Sequence, residues 1–341
     1  MNAEILRSFL PDFKEKLVLN AFYRDGECYS VLAMLAKRED KLCLWEIRGM
    51  SEEETERHTR RYRRPATNRQ AQKEGLRGGN DLRIRELELD GQHLSVSSAT
   101  GTCLGEGCNE QERVLFLCLL QNGVRLGELE QTPFERLTIN CYEMQEQEFP
   151  QVNTEADGFD IVLKLEAQHI PVAVNKKLHL QTGTYAKPRM VRVKKEEEVR
   201  LYIHGVSFYD VWEDAKTRFE DKRYTERFSA EEIKNIKQQY IDSLPDICPQ
   251  GSVIPIIEYE SDKDYQMQFY SQDYLRRVPE NKSSTAFLMM RPDEKTGPMG
   301  YKNYACVLEA VEKGFEGELA VELFTYYRWI PGKSVHCEKI C

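Results

Sequence analysis

The chain predicts an α+β fold of predominantly antiparallel β-sheets with several capped amphipathic helices, in two subdomains over residues 1–150 and 159–341. Three observations predict it. Alternating apolar and polar runs recur along the chain, and some are joined by short turn signals such as Asp25-Gly26 and Asp90-Gly91. Helix start signals are grouped between those runs instead of alternating with them, as a doubly wound sheet would require. The 341 residues, 40% of them apolar, suit two domains or one large one.

The first apolar series, Ile5, Leu6, Phe9, Leu10, Phe13 and Leu17, has near-helical spacing and predicts a helix over 4–17 kinked at Pro11. Strands are expected at 17–24, 28–36 and 41–48. Ser51 with Glu54 forms a capping box, and Pro65 ends that helix. Residues 65–80 read as an irregular connection, and strands resume at 82–89 and 93–98. Asn109 and Gly123 bracket a helix over 110–121, with a buried strand at 113–120 as the rival reading. Thr132, Pro133 and Glu135 start a helix to about 147, and the polar stretch 149–158 marks the boundary between halves.

In the second half, strands are expected at 159–167, 170–180 and 189–203. Ser207 and Asp210 start one helix, and the box Ser229/Glu232 starts another that runs to about 243. The end is strand-rich, at 252–260, 265–270, 284–291, 302–311 and 317–329, with a short helix at 271–278.

A formal charge of -9 disfavours general adhesion to nucleic acid or anionic membrane. No membrane span is expected, because the longest apolar run is Val114–Leu120. The first residues are charged and broken by Pro11, unlike a secretory leader, so the ten cysteines read as thiols and the compartment as the cytoplasm.

Catalytic motifs fail one by one, and whether the chain is an enzyme stays open. Gly105-Glu106-Gly107 starts like a dinucleotide loop, but Glu110 stands where the third glycine belongs. No phosphate loop occurs, and Ser207 lacks the second glycine of a nucleophile elbow. His336, Cys337 and Cys341 with Cys103 and Cys108 lack paired zinc spacing, and the run Glu258, Glu260, Asp262, Asp264 reads as a solvated hairpin. No metal or cofactor is expected. His169, His179 and His204 lie on expected strands as hydrogen-bonded structural residues.

One segment departs from its surroundings. Residues 57–85 hold ten Lys/Arg and two acids, a charge of +8, which leaves −9 − 8 = −17 for the remainder. Arg57, Arg60, Arg61 and Arg64 share a helix face, and Arg69, Lys73 and Arg77 follow. Guanidinium forks suit carboxylate or phosphate, so these seven are the candidate site for an anionic ligand or acidic partner. The competing reading is that the arginines serve the helix dipole and pair with this chain's own acids. A helix-turn-helix over 110–147 is disfavoured because its second helix is acidic. On the last long strand, Phe324 and Tyr326 should share one face, and Tyr327 and Trp329 the other, as a possible aromatic contact. The loop 291–301 is a hairpin connection of the kind that carries function on a rigid scaffold.

These readings make the chain a cytosolic binding or interaction protein. The alternatives are a hydrolase or transferase on an anionic substrate, with a site assembled from distant residues, and a nucleic-acid binder acting through the basic segment.

Overall fold

The computed structural model describes residues 11, 13–26, 28–38, 40–52, 54–56, 65–76, 84–105, 108–146, 148–152, 160–194, 198–220, 226–279 and 296–340. It is mostly antiparallel β-sheet with a few helices. Two compact units emerge: 1–64, 77–168 and 330–341 form the first, and 65–76 with 169–329 the second. The division therefore does not follow one cut in the sequence, since each unit takes a segment from beyond the other's borders.

The first unit contains β1 (Phe13–Asp25), β2 (Cys28–Arg38), β3 (Lys41–Gly49), β4 (Ile84–Leu89), β5 (Gln92–Cys103), β6 (Leu137–Met144) and β7 (Ile161–Leu165). Two short strands from the end of the chain complete it, β16 (Ser334–His336) and β17 (Glu338–Lys339). The sheet order is β16-β7-β4-β5-β6-β3-β2-β1-β17. Both ends of that path belong to one segment, with Cys337 between them. Val335 lies opposite Leu163 of β7, and Glu338 opposite Phe22 of β1. The sheet thus closes on itself as a barrel, and closure removes the free edges that an open sheet exposes.

Alternation along the strands fills the barrel. Leu17, Leu19, Leu42, Leu44, Leu87, Leu94, Tyr142 and Leu163 point inward and make one apolar core. The intervening residues, among them Val31, Ala33, Trp45, Ile47 and Ile139, make a second core on the outer face. A helix over Glu110–Gln121 covers that face with Leu115, Phe116 and Leu119. It starts where Asn109 accepts a hydrogen bond from the Glu112 amide, and it ends before Gly123 at φ 90°.

In the second unit, β8 (Gln168–Gln181), β9 (Gly183–Lys194), β10 (Val199–Tyr209), β11 (Ser252–Ser261), β12 (Gln266–Ser271), β13 (Asn303–Val307), β14 (Val311–Glu312) and β15 (Glu318–Ile330) form two sheets. One has the order β13-β11-β10-β9 with β14 on β11, and the other β12-β15-β8. Their facing residues, such as Leu201, Ile203, Tyr259, Phe269, Val321 and Tyr326, share a core. Helices Val211–Thr217 and Ala230–Ile247 pack around Val211, Ala215, Leu244 and Ile254. The Ser229/Glu232 capping box forms as expected.

Several expectations are overturned. Residues 13–17 belong to β1 and not to a helix, and 4–10 lie outside the described residues. The expected helix at 133–147 is a single 3-10 turn, Phe134–Arg136, followed by β6. Pairing on both sides, with β3 and β5, outweighs the start signal at Thr132 and removes the second helix of any helix-turn-helix. The stretch 65–80 contains a helix over Asn68–Leu76. What reads as one strand at 189–203 is the end of β9 and the start of β10. Asp210 caps the helix at 211, while Ser207 lies in β10. The expected strand at 284–291 lies outside the described residues.

On β15 a register shift between Gln268 and Phe269 of its partner sets Phe269 opposite Leu323 and Gln268 opposite Thr325. Phe324 is the extra residue, and the bulge changes the inside–outside phase. Tyr326 joins the shared core and Phe324 packs edge-on against Tyr270, so the two do not share a face as alternation predicts.

Candidate functional site

Of the basic candidates, Arg57, Arg60, Arg61, Arg64 and Arg77 lie outside the described residues. Arg69 and Lys73 fall on the helix Asn68–Leu76. That helix begins where Thr67 Oγ1 accepts from the Gln70 amide and Gln70 Oε1 accepts from the Ala66 amide. The Asn68 amide donates to the Arg277 carbonyl, and Asn68 Nδ2 donates to the Tyr274 carbonyl. Arg69 then meets Glu322 of β15 through two parallel bonds, Nη1–Oε1 at 2.7 Å and Nη2–Oε2 at 2.6 Å. The carboxylate raises the guanidinium pKa, chiefly through the hydrogen bonds. Arg69 is therefore engaged within the second unit, whereas Lys73 is exposed. Of the aromatic candidates, Tyr327 is half-buried opposite Gln266 and Trp329 is 55% exposed.

A concave site that brings reactive groups together lies in the first unit, between the helix 110–121 and strands β3, β5 and β6. It is a groove of about 290 Å³, with Cys43 and Trp45 from β3, Thr100 and Thr102 from β5, Cys141 and Glu143 from β6, and Glu112 and Leu115 from the helix. Arg38 and Lys41 complete its wall. Register explains the convergence: Cys43 lies opposite Glu143 and Trp45 opposite Cys141, so all four side chains project from one sheet face.

The groove is charged but balanced. Lys41 Nζ donates to both oxygens of Glu143, at 2.9 and 2.8 Å, and holds that carboxyl below its usual range. Cys141 holds Cys43 below its ordinary value, with Arg38 and Lys41 acting in the same direction. Cys141 is driven far up by Cys43 and by burial. Trp45 is fully buried, and its indole N–H has no hydrogen-bond partner among the described residues. Nothing in the cysteine spacing signals this pair, because 98 residues separate two positions that only strand register makes neighbours (141 − 43 = 98).

Two buried carboxylates lie elsewhere. Glu46 sits inside the barrel and accepts hydrogen bonds from Tyr23 Oη at 2.5 Å, Tyr142 Oη at 2.8 Å and Asn140 Nδ2 at 2.9 Å. Glu260 lies 2.7 Å from His204 Nε2 and accepts the amides of Met299 and Tyr301 at 3.0 and 2.8 Å. Glu260 is thus a buried anchor for the loop 297–301 and not one of four solvated acids. His169 and His179 lie on β8 and His204 on β10.

The grouping of metal-ligating side chains among the described residues is Glu86, Glu88 and His93. Lys164 Nζ already lies 2.6 Å from Glu86, a cation in the position that an ion would neutralise. His336 lies 3.8 Å from Asp160, Cys337 is half-buried against the barrel core, and Cys103 donates to the Glu135 carbonyl. Cys341 is outside the described residues. No helix among the described residues is long and apolar enough to cross a membrane. No protein-family model matches the chain, and comparisons with curated proteins and with solved structures find no match.

Proposed function

We propose that the chain is a cytoplasmic binding protein that takes an anionic ligand, or the acidic face of a partner, through the segment 57–85. One observation carries the reading: that segment bears a charge of +8 inside a chain whose remainder bears −17. Such segregation draws anionic groups toward one stretch of a chain that otherwise repels them. Lys73 and Arg85, both exposed, support it among the described residues. Arg69 on Glu322 illustrates the fork that guanidinium groups offer a carboxylate, although Arg69 itself is occupied.

The test is charge reversal. Arg57, Arg60, Arg61 and Arg64 are changed together to Glu, folding is checked by circular dichroism, and quantitative pull-downs are compared with wild type. Loss of an acidic partner from the folded variant is expected, and an unchanged set of partners overturns the reading. A nucleic-acid partner would reveal itself by affinity that falls steeply as salt rises from about 50 mM. A second reading, an enzyme acting on a small substrate, is favoured by the groove of the first unit, where two thiols, two cations and two carboxylates line one cavity.

A further inference from the structure

We propose that Cys43 and Cys141 form a redox-active dithiol that exchanges with a small, carboxylate-bearing disulfide entering the groove. The inference does not depend on the basic segment. It stands on two geometric features of the first unit, supported by the titration of the pair. Both cysteines line the same cavity. The strand register puts them on one sheet face at a diagonal of the β3–β6 ladder. Each cysteine is the group that most perturbs the titration of the other.

The two cysteines have distinct roles. Cys141 first, and then the cations Arg38 and Lys41, hold Cys43 below its ordinary value, and the proposal makes it the attacking group. Cys141 keeps its proton and resolves. Other cysteines of the chain move the opposite way: burial raises Cys108, Cys118 and Cys248, and pushes Cys306 and Cys337 up to about 12. Lys41 is taken by Glu143, whereas Arg38 is exposed on the same wall and suits a carboxylate of the incoming molecule. A cavity of about 290 Å³ is at the small end of ligand pockets, which selects a low-molecular-weight disulfide over a protein one.

The chemistry balances in two displacements. The Cys43 thiolate attacks one sulfur of R–S–S–R, that S–S bond breaks, and the departing thiolate takes a proton from water. Cys141 then gives its proton to water and attacks the Cys43 sulfur, releasing the second R–S⁻, which is protonated in turn. Two cysteine thiols are oxidised to one disulfide and one small disulfide is reduced to two thiols. Diagonal strand positions are about 7–8 Å apart between Cα atoms, beyond the usual disulfide span of about 4.4–6.8 Å. Closing the bond therefore draws the strands together, and a bond made under tension is readily reduced.

The experiment treats the reduced full-length chain with oxidised glutathione, quenches with acid and maps peptides by mass spectrometry with and without dithiothreitol. Wild type should give a reducible peptide joining Cys43 to Cys141. Cys141→Ser should stop at one glutathionyl group on Cys43, and Cys43→Ser should leave Cys141 unmodified. Wild-type chain in which both cysteines remain free, or in which Cys43 keeps a stable adduct without forming the cross-link, overturns the proposal. The wild-type map decides the matter even if a variant fails to fold.

Discussion

Arg69 and Glu322 are joined by a fork of two hydrogen bonds in which the arginine is one-third exposed and the carboxylate is buried to 1%. The pair fastens a helix that has little apolar surface of its own, since Asn68 is its buried residue. Its other ties are polar as well: Gln72 Oε1 accepts from Tyr270 Oη at 2.7 Å, and Gln72 Nε2 donates to Tyr274 Oη at 3.1 Å.

Arg69→Met should therefore strand a buried carboxylate. Because the arginine is partly solvated, the expected loss is about 2–3 kcal/mol, less than for a fully buried pair. Adding Glu322→Leu should recover most of it, since removing both partners leaves no unpaired charge. Urea unfolding of the two variants measures this. A single variant as stable as wild type would show that the fork contributes nothing.

The three donors converging on Glu46 predict a larger effect. Glu46→Leu leaves Tyr23, Tyr142 and Asn140 without their acceptor inside the barrel and should cost about 3 kcal/mol, whereas Tyr23→Phe should cost about 1 kcal/mol. Burial first, then the Glu46 charge and hydrogen bond, raise the pKa values of Tyr23 and Tyr142 above the ordinary 10.0. With folded values raised, their contribution is full below about pH 10. It is lost as the unfolded chain ionises and the pH climbs toward the folded values. Unfolding free energy in Tyr142→Phe should fall less between pH 9 and 11 than in wild type, because one group that ionises in the unfolded chain and stays neutral in the barrel is gone; equal slopes would refute the raised value.

Gly205 tests the second unit. It lies in β10 beside Gly183, and a Cβ there would run into the Gly183 carbonyl oxygen and the Thr184 backbone, neither of which can swing aside. The register of β10 shifts at this point against both neighbours. Gly205→Ala should cost about 2 kcal/mol or more through displaced backbone. Gly251→Ala, where the space is open but φ is +82°, should cost only about 1 kcal/mol. Thermal melts of both variants give the comparison, and the reverse ranking would sink it.

Local chemistry was legible from residues alone. Asn109, Asp210 and the Ser51/Glu54 and Ser229/Glu232 boxes cap as their side chains dictate, because a cap needs only partners within four residues. The hairpins at Asp25-Gly26 and Asp90-Gly91 follow from the same short range. The helix at 68–76 carried a readable signal too, Thr67 with Gln70, but its polar composition masked the helix because what holds it is distant in sequence.

Long-range pairing belongs to the tertiary structure. Only the seating of Ser334–Lys339 between β7 and β1 closes the barrel, and only the β3–β6 register sets Cys43 beside Cys141. Leu137–Met144 became a strand for the same reason, because two neighbours offered it a complete ladder. Strand order and register are free energies of whole sheets. They cannot be read from the few side chains around one position, and here they decided which groups meet.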